Sequence, residues 1–273
     1  MLKKRLIFTL LYSDGQFMLS RNFRLQKVGN LNWLQTNYNF SHISYFIDEL
    51  IVLDITRGEK NPDEFCTALQ KLTEGCFVPI AAGGGIRSID AAKKLLRSGA
   101  DKVVINSVLY DENGFIRDLA REFGQQCIVA SIDIKCEPNG EYNIWTNSGA
   151  LCVEGSVKDL IDQVAQDEIG EIYLNSIDRD GTGQGYDLAL LNFLPEDITK
   201  PIILAGGAGN ASHLAAGLSD SRVDAAATAN LFNFVGNGLQ KARDYLNLNG
   251  IDLPLWDSKL LQQHLNDESL ECG

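Results

Sequence analysis

Glycine clusters follow two buried apolar segments of the chain, at the points where strands would end. One cluster, Gly83–Gly85, lies in the segment Ile80–Leu109, and the other, Gly206–Gly209, lies in Ile203–Phe232. Glycine lets the backbone approach a ligand closely and adopt positive φ without penalty. A helix that begins just beyond each cluster adds free N–H groups and the positive end of a dipole, which together bind phosphate. The sequence therefore predicts two equivalent phosphate sites.

An internal repeat relates these two segments. Four pairs of similar residues recur at a spacing of 122 or 123 positions: Leu6 with Ile128, Glu49 with Glu171, Gly83 with Gly206, and Asp101 with Asp224. Although βα units resemble one another in any barrel, four residue pairs with nearly the same spacing favour a duplicated half-barrel.

The repeat identifies one mismatch. Asp133 stands where strand five would end, and the residue 122 positions earlier is Leu11. Two facing carboxylates at this level would make an acid–base pair. Here one member is apolar, so we identify Asp133 as a candidate catalytic residue whose partner position is lost.

Strand and helix patterns alternate along the chain, which predicts an α/β protein built as a (β/α)8 TIM barrel with a half-barrel repeat. A loop is expected from Ser13 through Asn30, and a hairpin, Tyr142–Thr146 with Ala150–Val153, is expected after strand five. Eight strands are predicted: Arg5–Tyr12, Leu50–Asp54, Phe77–Ala82, Lys102–Asn106, Cys127–Asp133, Glu171–Ser176, Ile202–Ala205 and Asp224–Ala229.

The domain organisation follows from these elements. Residues 1–246 are predicted to form the barrel, and residues 247–273 an acidic C-terminal tail with one possible helix around Asp257–Leu265. The tail is either a disordered end or a docking segment.

Composition limits the possible functions. The 273 residues are 45% hydrophobic and carry a net charge of −12, which opposes general binding to nucleic acid or to anionic membranes. The apolar run Leu6–Tyr12 is too short to span a membrane. Six cysteines without a CxxC motif favour reduced thiols and a cytoplasmic location, and three histidines without ligand spacing predict no metal. No cofactor is expected.

The candidate phosphate residues fall on opposite sides of the barrel mouth, where barrel enzymes place their chemistry. Two facing sites would suit a small molecule with a phosphate at each end. The first site comprises Gly85, Asn106 and Ser107; the second comprises Gly207, Ala229 and Asn230, with Asp180 and Gly181 nearby.

Five motifs resemble the cyclase subunit of imidazole glycerol phosphate synthase, and the resemblance runs from Met1 to about Leu246. They are Val52–Thr56 (VLDIT), Gly83–Ser88 (GGGIRS), Gly99–Ser107 (GADKVVINS), Ser176–Asp187 (SIDRDGTGQGYD) and Ala205–Asn210 (AGGAGN). The resemblance implies a barrel that docks a glutaminase subunit on its N-terminal face. Ammonia then passes through the barrel and attacks a bisphosphate-bearing ribulosyl aminoimidazole nucleotide.

The resemblance assigns roles to residues at the bottom of the barrel. It implies an ammonia gate formed by Arg5, Glu49, Lys102 and Glu171, each at the start of a strand. A salt-bridge network that closes the barrel is the structural alternative. The resemblance further places Asp101 at the glutaminase interface and supports the phosphate residues, although Asn230 replaces the usual Ser.

The chain departs from the family at the catalytic pair. Leu11 replaces the first Asp, and Leu19 replaces a Lys of the mobile loop, although Arg21 is near. Losing a positioned acid or base costs about 10²–10⁴-fold in rate. We therefore favour a divergent branch, in which barrel and glutaminase deliver ammonia to a sugar amidotransferase that forms acetamidino sugars of surface polysaccharides.

Three alternatives stay open. The first is a working cyclase in which Asp14 or Asp54 replaces the missing Asp. The second is a non-catalytic barrel that binds a phosphorylated sugar, and the third is a related sugar-phosphate isomerase. The isomerase would also need an Asp after strand one, and it has no use for a gate.

Overall fold

Eight parallel strands close into a barrel in a computed structural model that describes residues 3–38, 43–111, 114–229 and 237–254. Each barrel strand pairs with the next one along the chain, and the last pairs with the first through Arg5 and Ala225. The strands are β1 (Arg5–Ser13), β4 (Glu49–Asp54), β5 (Ile80–Gly83), β6 (Lys102–Ile105), β7 (Ile128–Cys136), β10 (Glu171–Ser176), β11 (Ile202–Ala205) and β12 (Ala225–Thr228).

Helices follow the strands and cover the outside of the barrel, as the sequence predicts. They are α1 (Leu31–Tyr38), α2 (Pro62–Thr73), α3 (Ile89–Arg97), α4 (Phe115–Phe123), α5 (Val157–Gln166), α6 (Ala211–Leu218) and α7 (Gly238–Leu248). Between β10 and β11 the connection contains a 3₁₀ helix, Leu188–Phe193. The (β/α)8 prediction is confirmed.

Two helices begin beside the glycine clusters because polar residues cap them. The Ser88 hydroxyl accepts a hydrogen bond from the Ala91 amide at 3.1 Å, and the Asn210 side chain accepts one from the His213 amide at 3.0 Å. Such caps satisfy amides that have no partner within the helix. They fix where α3 and α6 start and therefore where the preceding loops lie.

The segment predicted as a long loop after strand one is instead a hairpin. Strands β2 (Gln16–Arg21) and β3 (Arg24–Gly29) extend β1 as an antiparallel ribbon. Asn22 and Phe23 form its turn with φ of 51° and 60°. The prediction was wrong because neither residue is glycine, so the turn had no clear signal. The second hairpin was predicted correctly: β8 (Tyr142–Thr146) pairs with β7 and with β9 (Leu151–Cys152).

Strand β5 begins later than predicted. Phe77 belongs to the loop that precedes the strand and keeps 49% of its surface exposed, whereas Ile80 is buried. Pro79 cannot donate to a sheet, although its carbonyl accepts from the Leu50 amide at 2.9 Å. The strand therefore starts after the proline.

The two halves of the barrel repeat in detail. Strands β1 and β7 each have nine residues and continue into a hairpin. Asp101 accepts a hydrogen bond from the Ile80 amide at 2.8 Å, and Asp224 accepts one from the Ile202 amide at 2.9 Å. Equivalent residues of the repeat thus make equivalent contacts.

Two hydrophobic clusters fill the fold. The larger lies between strands and helices, and the smaller fills the barrel interior with side chains such as Ile7, Ile51, Val129 and Ile203. No helix within the described ranges is long and apolar enough to cross a membrane. The predicted tail helix Asp257–Leu265 and residue Asn230 lie outside the described residues.

Candidate functional site

A cavity of about 1180 Å³ opens at the carboxyl ends of the strands. It lies where barrel proteins place their chemistry and is large enough for a nucleotide-sized ligand. Both sides of the predicted site line it: Gly85, Asn106, Ser107 and Asp133 on one side, and Asp180, Gly181, Gly207 and Ala229 on the other. Residue Asn230, the remaining member of the predicted set, is not described.

The glycine loops have the backbone geometry that their sequence predicts. Gly84 and Gly85 have φ of 127° and 81°, and Gly206 and Gly207 have φ of 85° and 107°. A side chain on Gly84 would collide with the carbonyl oxygen of Asp54, and one on Gly207 would collide with that of Gly185. Only glycine therefore lets both loops pack this closely at the mouth.

Asp133 is held by two amides. The Asn175 Nδ2 donates to its Oδ1 at 2.9 Å, and the Asn106 Nδ2 donates to its Oδ2 at 3.1 Å. Burial raises the pKa of Asp133 to about 6, against the two hydrogen bonds, which favour the ionised form. A carboxyl with this pKa can gain or lose a proton near neutral pH. The Asn106 amide is thus committed to Asp133 and to the Ser131 carbonyl, which it reaches at 2.9 Å.

The opposite position is apolar. Leu11 pairs with Leu53 across β1 and β4, whereas the equivalent residues of the other half, Asp133 and Asn175, pair across β7 and β10. A hydrogen-bonded carboxylate and amide therefore face two leucines. Asp14, one proposed substitute for the missing Asp, sits exposed in the turn between β1 and β2 and does not line the cavity.

The other proposed substitute, Asp54, lines the cavity but is already paired. The Lys60 ammonium lies 3.2 Å from its Oδ1, and the Thr56 amide donates to the same oxygen at 2.9 Å. Asp54 is therefore a partner for Lys60 at the first glycine loop. Leu19, in place of the family's Lys, also lines the cavity.

The first hairpin lies on the loop after β10, at Asp180 and Gly181. The Asp180 carboxylate accepts hydrogen bonds from the Ser20 hydroxyl and from the Phe23 amide, and its carbonyl accepts from the Asn22 amide at 2.9 Å. The backbone at Ser20 lies where a side chain on Gly181 would stand. Burial raises the pKa of Asp180. Sequence reasoning missed this contact because it took the hairpin for a loop.

Four charged side chains close the other end of the barrel in a ring. The Arg5 guanidinium lies 2.7 Å from Glu49 and 2.9 Å from Glu171, and the Lys102 ammonium lies 2.9 Å from Glu49 and 2.7 Å from Glu171. Cations and anions alternate, so every charge has two opposite neighbours. Burial raises the pKa of Glu49; for Glu171 the Arg5 hydrogen bond and the two cations outweigh burial and lower the pKa.

Apolar side chains fill the barrel between the ring and the cavity. Ile7, Ala81, Val129 and Ile203 have no exposed surface. Above them the cavity floor is formed by Thr9, Ser131 and Tyr173. The Thr9 hydroxyl lies beside the Tyr173 phenol, has no regular hydrogen-bond partner within the described ranges and is buried.

The surface around the ring carries an exposed aromatic pair. Phe77 is 49% exposed, and its ring centroid lies 4.6 Å from that of Tyr45. A shallow cavity of about 290 Å³ beside Phe77 is lined by Cys76, Pro79 and Asp101. Asp101 is exposed at this surface, although one of its carboxylate oxygens is used by the Ile80 amide.

The barrel, the paired glycine loops at its mouth and the charged ring at its base together define a (β/α)8 barrel protein with a ligand cavity at one end. The chain belongs to the family described as histidine biosynthesis protein, whose model matches residues 35–236. Within it the chain is of the HisF type. It is 48% identical over 244 residues to a protein of Parasynechococcus marenigrum (strain WH8102) provisionally named imidazole glycerol phosphate synthase subunit hisF2. That match covers 89% of this chain and 90% of the relative.

The raised pKa of Asp133 predicts a pH dependence of stability. The folded protein holds this proton up to about pH 6, whereas an unfolded Asp releases it near its ordinary pKa. Because the folded state binds the extra proton, stability falls as pH rises through this window, by on the order of 3 kcal/mol from this group.

Comparing urea unfolding of the wild type and Asp133→Asn between about pH 4 and pH 7 measures this contribution. We expect the Asn variant to lose that part of the pH dependence, and carboxyl ¹³C NMR of the wild type to give the Asp133 pKa directly. An ordinary Asp pKa in the NMR titration would contradict the role assigned to burial.

Proposed function

We propose that this chain is the synthase-side subunit of a glutamine amidotransferase complex and that it conducts ammonia from a glutaminase subunit through its barrel. The observation that carries the proposal is the intact four-charge ring combined with the lost catalytic partner at the mouth. The chain keeps the family's device for admitting ammonia, and Leu11 replaces one of its two catalytic carboxylates.

The interior between the ring and the mouth favours a neutral molecule. An ion that left the ring would enter a layer of apolar side chains, at a cost of several kcal/mol. Ammonia is uncharged and about the size of water. Ala81, in the packed layer, and Ala225, beside Arg5 in the sheet, are the small side chains next to the ring.

The mouth of the barrel supports a proposal for the acceptor of the ammonia. With Leu11 and Leu53 facing Asp133, the strand ends at this level carry one carboxyl where the family has a facing pair. We propose that a separate sugar amidotransferase uses the ammonia to convert an acetamido group to an acetamidino group in surface-polysaccharide synthesis. The cavity then binds a phosphorylated small molecule.

Replacement of Lys102 by Met tests conduction in a reconstituted system of chain, glutaminase and sugar amidotransferase. Removing one cation leaves Glu49 and Glu171 with Arg5 alone, so the ring no longer has its alternating charges. We expect the glutamine-supported amidination rate to fall at least about tenfold, because ammonia escapes before it reaches the acceptor, while an ammonium salt supports the normal rate.

The matched control is Lys200→Met. Lys200 lies on the same face outside the ring and donates to the Ile169 carbonyl at 2.7 Å. It should leave both rates unchanged. An equal loss of glutamine- and ammonium-supported rates in Lys102→Met would mean that the ring only stabilises the barrel.

The exposed aromatic pair at the ring end is proposed as the anchor for the glutaminase, with Asp101 at its edge. Aromatic residues at the centre of an interface carry much of the binding energy. Phe77→Asp should therefore weaken binding of the glutaminase at least about tenfold in calorimetry. Leu151→Asp is the control, because Leu151 is 59% exposed on the hairpin at the opposite end. Equal effects of the two variants would argue against this surface.

A working cyclase is the second candidate, and the Asp133 pKa of about 6 favours it. It predicts turnover of the ribulosyl nucleotide with ammonia, and Asp54 would have to leave Lys60 to take part. Absence of turnover in pure, folded protein would exclude it.

Our proposal predicts that Leu11→Asp alone will not restore cyclase activity. The new carboxyl would stand against Leu53, and Leu19 would remain in place of the family's Lys. We expect a rate at least about 10²-fold below that of an active relative, from the contribution of a positioned acid or base. Leu11→Asn is the isosteric control. A normal rate from the single change would refute this prediction.

A further inference from the structure

Three neighbouring strands place polar residues on one side of the mouth. Asn106 follows β6, Asp133 lies in β7 and Asn175 lies in β10, and all three line the cavity. Because both amides donate to the carboxylate, the three side chains form one hydrogen-bonded group. We call this group the polar half-ring.

The repeat places apolar residues on the other side of the mouth. Each member of the polar half-ring has an apolar counterpart at the repeat spacing of 122 or 123, and these counterparts are, in the same order, Ala229, Leu11 and Leu53. They also line the cavity, and the strands β12, β1 and β4 that carry or precede them are neighbours in the sheet. In a closed barrel of eight strands these three lie across the axis from β6, β7 and β10. We call them the apolar half-ring.

The protein leaves part of the apolar half-ring uncovered. Leu11 and Leu53 are both half-buried. Leu53 packs on the barrel interior, whereas Leu11 joins neither hydrophobic cluster within the described ranges. Leu19 of the first hairpin lines the cavity as well. Apolar surface of this kind favours an apolar ligand group, because covering it removes that surface from water.

The polar half-ring keeps hydrogen-bonding capacity for a ligand. Each oxygen of the Asp133 carboxylate accepts one amide hydrogen, and a carboxylate oxygen has room for a second donor. The side-chain oxygen of Asn175 accepts no hydrogen bond from any residue that the structure describes. Both groups therefore suit the hydroxyl or N–H donors of a ligand.

We propose that the cavity binds the phosphate of an N-acetylated amino sugar, with the acetyl methyl on the apolar half-ring and the sugar hydroxyls on the polar half-ring. This inference rests on the proposed binding of a phosphorylated small molecule and names its class. A sugar that carries only hydroxyls would press some of them against Leu11 and Leu53, where they lose water without gaining a partner. The acetyl group replaces one such hydroxyl by a methyl.

Three sugar phosphates that differ at one position test the proposal by calorimetry on the whole chain. They are N-acetylglucosamine 1-phosphate, N-formylglucosamine 1-phosphate, which lacks only the methyl, and glucose 1-phosphate. We expect the acetyl compound to bind at least about threefold more tightly than the formyl compound, from burial of one methyl group. It should bind at least about tenfold more tightly than glucose 1-phosphate.

Replacement of Leu11 by Asn assigns this preference to the apolar half-ring. The two side chains have similar shapes, and the polar one no longer favours a methyl, so the acetyl and formyl compounds should bind equally. Leu11→Met stays apolar at similar volume and should keep the preference; it is the informative variant if Leu11→Asn fails to fold. Leu151→Asn is the control, because Leu151 is 59% exposed and does not line the cavity.

Equal binding of the acetyl and formyl compounds to the wild type would overturn the proposal. A preference that survives Leu11→Asn would overturn it too, as would failure of all three sugar phosphates to bind. These titrations use the chain without the glutaminase, so they do not depend on ammonia conduction. The Lys102 experiment can therefore fail while this one succeeds, and the reverse.

Discussion

Two buried glutamates and two partly buried cations stand at one end of an apolar barrel, and the rest of the structure has to accommodate them. An unpaired ion in such a place costs several kcal/mol, so each charge needs opposite neighbours at hydrogen-bond distance. Alternation around the ring provides them: each of Arg5 and Lys102 contacts both Glu49 and Glu171. This requirement restricts which residues can begin four of the strands. It places no such restriction on the residues at the mouth.

The two halves of the barrel differ in the polarity of their residues at the mouth. The duplicated halves still share their strand lengths, their hairpins and the hydrogen bonds of Asp101 and Asp224. At the level of chemistry they differ, because Asp133 and Asn175 face Leu11 and Leu53. A repeat with equal architecture and unequal polarity can bind an asymmetric ligand.

Patterns of several residues were enough to predict the barrel, the second hairpin and the position of the glycine loops at the mouth. Strands apolar on both faces, glycine at strand exits and one repeat spacing each reflect a strong physical requirement. The first hairpin was missed because Asn22 and Phe23 adopt positive φ without glycine. Lys60, Asn175 and the Ser20–Asp180 contact were missed because each depends on which loops meet in space, and a single sequence does not contain that information.

The missing side chain of Gly181 has a consequence for how ligands exchange. The first hairpin lies directly on this residue, and its turn is held by Asp180, by Asn22 on the Asp178 carbonyl and by Arg57 on the Phe23 carbonyl. A bulkier residue at 181 would hold the ribbon away from the barrel. A ligand that enters the cavity passes beside this ribbon, so breaking these hydrogen bonds would widen its path.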